Sequence, residues 1–191
     1  MNKNLPIYEI SIDLNDAETT VSFNSLVANP AHEKMFQMFE KQKERWTFSD
    51  EEQIITGVAI EAEMPIYRNQ QGHEFYVVFT KQAIKDIVFD YARKGNFNNV
   101  NLDHNSNKVV DGAYMVMMYQ IDEAKGFTAP ERFKDSADGS LLVSYKITDK
   151  DVWERAKNRE VNGFSIEGTF QLEDSEQTFV SELLQLLKQI K

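Results

Sequence analysis

With 191 residues and a hydrophobic content of 41%, the chain can bury a real core as one domain, which excludes global disorder. A net charge of -10 excludes nucleic acid as the main partner, because phosphate binding needs clustered Lys and Arg. The lack of cysteine removes disulfides, a thiol nucleophile and thiolate metal sites together, and fits a reducing cytoplasm.

Met1 leads into Asn2-Lys3-Asn4 with no apolar signal core behind it, and no run of about 18 apolar residues follows anywhere. An intracellular soluble protein without a membrane span is expected. Ile7 to Leu14 alternates as a first strand, Asn15-Asp16 turns the chain, and Thr19 to Val27 reads as a second strand that ends before Pro30. From His32 the period changes, and Met35, Phe36, Met38 and Phe39 outline a helical face. Gln53 to Ile60 is the strongest buried-strand pattern, followed by Met64 to Tyr67 and a polar turn, Arg68-Asn69-Gln70-Gln71-Gly72. Phe75 to Phe79 is the next strand. Thr80 then caps a helix with apolar positions Ala83, Ile84, Ile87, Val88, Tyr91 and Ala92, closed by Gly95.

Val100 to His104 reads as a short strand, Val109 to Ile121 as a longer one interrupted at Gly112, and Leu141 to Ile147 as another after the Asp138-Gly139 turn. Thr148 and Asp151 resemble a capping box for a short helix with Val152, Trp153 and Ala156 inward. Val161 to Leu172 is the last strand, and Ser175 opens a final helix carrying Phe179, Val180, Leu183, Leu184, Leu186, Leu187 and Ile190. Sequential strands with inserted helices suit an α+β domain over residues 1–172, built on a closed or nearly closed, mainly antiparallel β-barrel surrounded by helices. Residues 173–191 are expected to form an amphipathic helix that packs on the body or on a partner chain.

The chemistry concentrates in Asn162-Gly163-Phe164-Ser165-Ile166-Glu167-Gly168 and Asn101-Leu102-Asp103-His104-Asn105. On a strand, Ser165 and Glu167 share one face while Phe164 and Ile166 take the other, so the apolar pair faces the core and the polar pair a groove. A serine hydroxyl needs a base to become a nucleophile, and imidazole is the usual base at neutral pH. His104 is the candidate. His32, at a helix start, and His73, in a glycine-containing turn, are weaker ones, and three scattered histidines make a metal site improbable. For the acid that orients the imidazole, Glu167 lies on the face of Ser165; Asp103 and Asp111 stay open. Gly163 and Gly168 allow close backbone approach, useful for a peptide substrate or an oxyanion site. The spacing is not Gly-x-Ser-x-Gly, so a nucleophile elbow is not supported. No cofactor fingerprint is present.

These residues carry a resemblance. Ser25-Leu26-Val27-Ala28-Asn29-Pro30-Ala31, Gln53-Ile54-Ile55-Thr56-Gly57, Glu74 to Thr80, Asn101 to Asn105, Asp151-Val152-Trp153 and Val161 to Gly168 stand in the order seen in the XkdF-type serine proteases of tailed bacteriophages. That family is a branch of the prohead (capsid maturation) proteases and looks like a relative of the herpesvirus assemblins. The resemblance covers roughly residues 20–172. It implies an assemblin-like barrel, with Ser165 as nucleophile and His104 as general base. It also implies an endopeptidase that cuts phage scaffold and capsid proteins, and itself, inside the procapsid in the bacterial cytoplasm, and a homodimer as a further expectation. In the commoner prohead proteases a segment like Ser25 to Pro30 follows the serine strand, with an acid just before it. Here it is N-terminal and Phe23 and Asn24 occupy those positions, so a circularly permuted barrel is expected, with this strand beside that of Ser165. The alternative function is a non-catalytic assembly or scaffold-binding protein.

Overall fold

The computed structural model describes residues 5–16, 18–28, 46–49 and 52–175. The helix expected from His32, and the final helix beyond Ser175, lie outside the described residues. Within them, twelve strands form three open four-stranded sheets with two α-helices beside them.

The first sheet has the order β12-β1-β6-β5. It contains β1 (Ile7–Ser11), β5 (Ile66–Gln70), β6 (His73–Val78) and β12 (Gln171–Asp174). β1 runs parallel to β6, with Tyr8 opposite Val77, and antiparallel to β12, with Ile10 opposite Leu172. β5 and β6 form a two-residue hairpin in which Gln70 pairs His73. Its loop residues Gln71 and Gly72 both have positive φ, 52° and 88°, the signature of a type I′ turn whose twist matches the strands. The Arg68–Gln70 stretch expected as a turn is therefore strand.

The second sheet, β11-β2-β7-β8, contains β2 (Thr20–Val27), β7 (Val100–Leu102), β8 (Asn105–Val109) and β11 (Gly163–Thr169). β2 pairs β11 antiparallel and β7 parallel. The third, β3-β4-β10-β9, is antiparallel throughout: β3 (Trp46–Ser49), β4 (Ile54–Ile60), β9 (Ala113–Gln120) and β10 (Leu141–Ile147). Nearly every residue of β10 is buried, as befits a central strand.

Among the described residues the closed barrel expected from the sequence, permuted or not, does not form. A barrel gives every strand two partners. Here each sheet ends on strands with a single partner among the described residues, and β5, β8 and β12 expose most of their side chains, as edge strands do. The fold is α+β and sandwich-like. Its three sheets converge on one core that joins Ile10 of the first to Leu26 of the second and Ile55 of the third. Val58, Ile121, Phe133 and Leu142 form a smaller, separate cluster.

The helices follow their local signals. α1 (Lys81–Lys94) begins where the Thr80 hydroxyl accepts the Ala83 N–H at 3.1 Å, and ends at Gly95 with φ 68°. It buries Ala83, Ile84, Ile87 and Tyr91, and with them Asp90. Burial pushes the Asp90 carboxyl upward, but hydrogen bonds from Lys94, Thr20 and Arg93 outweigh this and hold it below the usual range. α2 (Lys150–Lys157) buries Val152, Trp153 and Ala156 as expected. Its cap is Asp149, which accepts the Val152 N–H at 3.0 Å, while Thr148 donates to the Gly112 carbonyl instead.

Candidate functional site

Strand alternation sets the site. Phe164, fully buried, packs its ring against Tyr145, so its neighbour Ser165 is turned to the opposite face of β11 together with Glu167. Ser165 pairs Ser25 on β2, and Ser25 in turn pairs Asn101 on β7, which lines three polar residues in one row across the sheet. His104 is not at a strand end. It is the second residue of the β7–β8 turn, where Leu102 pairs Asn105 and both Asp103 and His104 take positive φ, 53° and 56°. Aspartate and histidine are among the few side chains tolerated there. The left-handed turn brings the imidazole back over the row.

Three polar groups meet at one carboxylate oxygen, Glu167 Oε2. Asn101 Nδ2 donates to Glu167 Oε2 at 3.0 Å, and the Ser25 hydroxyl donates to the same oxygen at 3.5 Å. Ser25 Oγ lies 3.2 Å from His104 Nδ1, which is itself 3.5 Å from Glu167 Oε2. A serine proton directed to the carboxylate leaves Ser25 Oγ to accept from Nδ1–H, and one directed to the imidazole makes Nδ1 the acceptor; the first tautomer is the one a general base at Nε2 requires. In that tautomer Nε2, hydrogen-bonded to nothing among the described residues, is left with its lone pair. Ser25 and Asn101 are fully buried, while the side chains of His104 and Glu167 are 44% and 32% exposed. One end of the relay is buried and its basic end reaches solvent.

Ser165, His104 and Glu167 all line one cleft of about 480 Å³. Its floor is the inner face of the first sheet, including Ile10, Ile66, Phe75 and Val77, and its wall is β11 from Ser165 to Thr169. Among the described residues no hydrogen bond joins the Ser165 hydroxyl to His104; the imidazole contacts Ser25 instead. Gly168 is in the wall at a β-bulge, where an added Cβ would lie 2.2 Å from the Thr20 carbonyl oxygen. Its missing side chain is required by the approach of β2.

The other candidates are elsewhere. Asp103 faces Arg155 at 3.7 Å, Asp111 lies in the turn before β9, and His73, at the start of β6, stands beside Phe75. His32 lies outside the described residues. Among the described residues no three acidic or histidine side chains are placed to hold a metal ion, and no helix is long and apolar enough to cross a membrane. Three participants were not singled out from sequence as site residues: Ser25, Asn101 and Arg68, the last a half-buried arginine of the cleft. The two-residue spacing of Ile66, Arg68 and Gln70 was the available signal for Arg68. Ser25 and Asn101 reach the site only through nonlocal pairing. Compared with models of protein families, with curated proteins and with solved structures, the chain gives no match.

Proposed function

We propose that the protein is a serine endopeptidase in which Ser165 is the nucleophile, His104 the general base and Glu167 the orienting acid. The observation that carries this reading is the Nδ1–Ser25–Glu167 relay, with Ser165 lining the same cleft as His104. A base must present a lone pair toward the nucleophile while its other nitrogen is fixed, and the contacts of Nδ1 with Ser25 and Glu167 support that role for Nε2.

In the reaction, Nε2 takes the Ser165 proton as Oγ attacks the scissile carbonyl carbon. The imidazolium so formed is balanced by the Glu167 carboxylate through the Ser25 hydroxyl. Nε2–H then protonates the leaving amine as the C–N bond breaks. A water, deprotonated by the same nitrogen, hydrolyses the acyl-Ser165 ester. A chain resembling the prohead proteases would apply this chemistry to phage scaffold and capsid proteins and to itself, inside the procapsid, and a homodimer belongs to the same proposal.

A fluorophosphonate probe tests the reading. Labelling should map to Ser165 and vanish in Ser165→Ala and His104→Ala. A folded protein that takes no label would favour a second reading, a non-catalytic assembly or scaffold-binding protein. That reading draws on the missing hydrogen bond between Ser165 and the imidazole among the described residues.

A further inference from the structure

The cleft holds a cation that the relay does not use, Arg68. Alternation on β5 turns Ile66, Arg68 and Gln70 to the same side, and all three line the cleft. Ile66 is buried, Arg68 is half-buried and Gln70 is exposed, so the guanidinium sits between an apolar interior and the rim. Among the described residues it makes a single hydrogen bond, from Nη1 to the carbonyl oxygen of Tyr67 at 3.0 Å, and pairs with no carboxylate. Among the described residues it is the only lysine or arginine lining the cleft.

Two carboxylates share the cleft, and both are engaged elsewhere. Glu61 is buried and accepts the Ala137 N–H at 3.0 Å. Glu167 accepts from Asn101 and Ser25. Burial lowers the pKa of Arg68 below its ordinary value, with no carboxylate offsetting it. A guanidinium carries five N–H donors in a fork that matches a carboxylate, and a half-buried fork with one donor used is poorly satisfied. Arginines in such settings are ordinarily paired.

We propose that Arg68 is the anchor for an acidic side chain, Asp or Glu, of a polypeptide lying in the cleft, with neighbouring apolar side chains of that polypeptide on the floor formed by Phe75 and Val77. The choice of a polypeptide rests on the endopeptidase reading. The choice of an acidic group rests on Arg68 alone. Arg68 makes no contact with the relay, so it sets specificity and takes no part in catalysis.

The test is a binding experiment, so that its outcome is separate from that of catalysis. Full-length Ser165→Ala protein is applied to an array of 12-residue peptides of random sequence. Bound peptides should be enriched in Asp or Glu at one fixed distance from an apolar position. Replacing that acid by its amide should weaken binding roughly tenfold to a hundredfold, the effect of one charge-assisted hydrogen-bonded pair. Adding Arg68→Gln should erase the enrichment, and adding Arg68→Lys should retain part of it, which rules out misfolding as the cause. Absence of binding, binding without acidic preference, or a preference that survives Arg68→Gln overturns the proposal. An Arg68-dependent acidic preference in a protein that no phosphonate labels would uphold this inference and remove the endopeptidase reading.

Discussion

Ser165 and Ser25 stand opposite each other as a directly paired couple across β11 and β2, yet the imidazole of His104 contacts Ser25, at 3.2 Å, and not Ser165. The two hydroxyls divide the work by burial. Ser25 has no solvent-accessible surface and its proton is held by Glu167, whereas Ser165 is partly exposed and borders the cleft. Under the endopeptidase proposal a substrate would reach only the second.

That division predicts different outcomes for two alanine substitutions. Ser165→Ala should lower kcat by about a millionfold, the usual consequence of deleting a nucleophile. Ser25→Ala should leave phosphonate labelling at Ser165 intact but slow it by about tenfold, the worth of one hydrogen bond that fixes the imidazole. Mass spectrometry of the labelled peptide distinguishes the two serines. Labelling of Ser25 would reverse the assignment.

Glu167→Gln tests the relay from its other end. The amide keeps the shape of the carboxylate but removes the charge that balances an imidazolium, and it offers Asn101 a poorer acceptor. kcat should fall about a hundredfold to ten-thousandfold with KM little changed, because the charge matters in the transition state more than in the ground state. Steady-state kinetics on a cleaved peptide provide the comparison. An equal rise in KM with unchanged kcat would assign Glu167 to substrate binding.

The legible part of this fold was local. Thr80 and Gly95 mark both ends of α1, and the Phe164/Ser165 alternation places the serine on the polar face because Phe164 must enter the core. What failed was nonlocal. Periodicity tells which face of a strand is buried but not which strand lies beside it, and the parallel pairs β1–β6 and β2–β7 depend on connections with no short-range mark. The barrel expectation broke on that point. The turn at Asp103-His104 was hidden because type I′ hairpins are usually announced by Asn-Gly or Asp-Gly, and here both positive-φ residues carry full side chains. Arg68 was lost inside a polar run that ends in a true turn only at Gln71-Gly72.

Part of the acid sensitivity should trace to Asp122. Hydrogen bonds from Lys125 and Lys81 lower its pKa from 3.8 to about 2, and Lys81 also bridges to Asp138 at 2.7 Å. A carboxyl with a depressed folded pKa contributes stability above its unfolded value, and that contribution is lost as pH falls toward the folded one. The thermal midpoint should therefore drop between about pH 4 and pH 2 more steeply in the native protein than in Asp122→Asn. Parallel profiles would mean that the Lys81–Asp122 contact has no energetic weight.

Asp90 should matter for stability and not for chemistry. Its carboxylate is fully buried and ties α1 to the start of β2, accepting the Thr20 hydroxyl at 2.9 Å and lying 3.0 Å from Lys94 Nζ. Asp90→Ala leaves these donors only the longer contacts to the Thr19 and Val21 carbonyls and should cost about 1–3 kcal/mol in urea unfolding. Probe labelling of the folded variant at Ser165 should be unchanged.

Gly168→Ala joins packing to function. The new Cβ would meet the Thr20 carbonyl oxygen at 2.2 Å, with the α-carbon of Val21 at 3.0 Å, so backbone and not a flexible side chain must yield. The strain falls on the β2–β11 pairing one residue beyond Glu167, where the register already shifts. Any parting of these strands draws Glu167 away from Ser25 and Asn101 and loosens the imidazole. The variant should lose about 1–3 kcal/mol of stability, as overpacked sites do, and labelling at Ser165 should slow even at temperatures where it is fully folded. A variant that is destabilised yet labels at the native rate would show that the relay tolerates displacement of the strand that carries it.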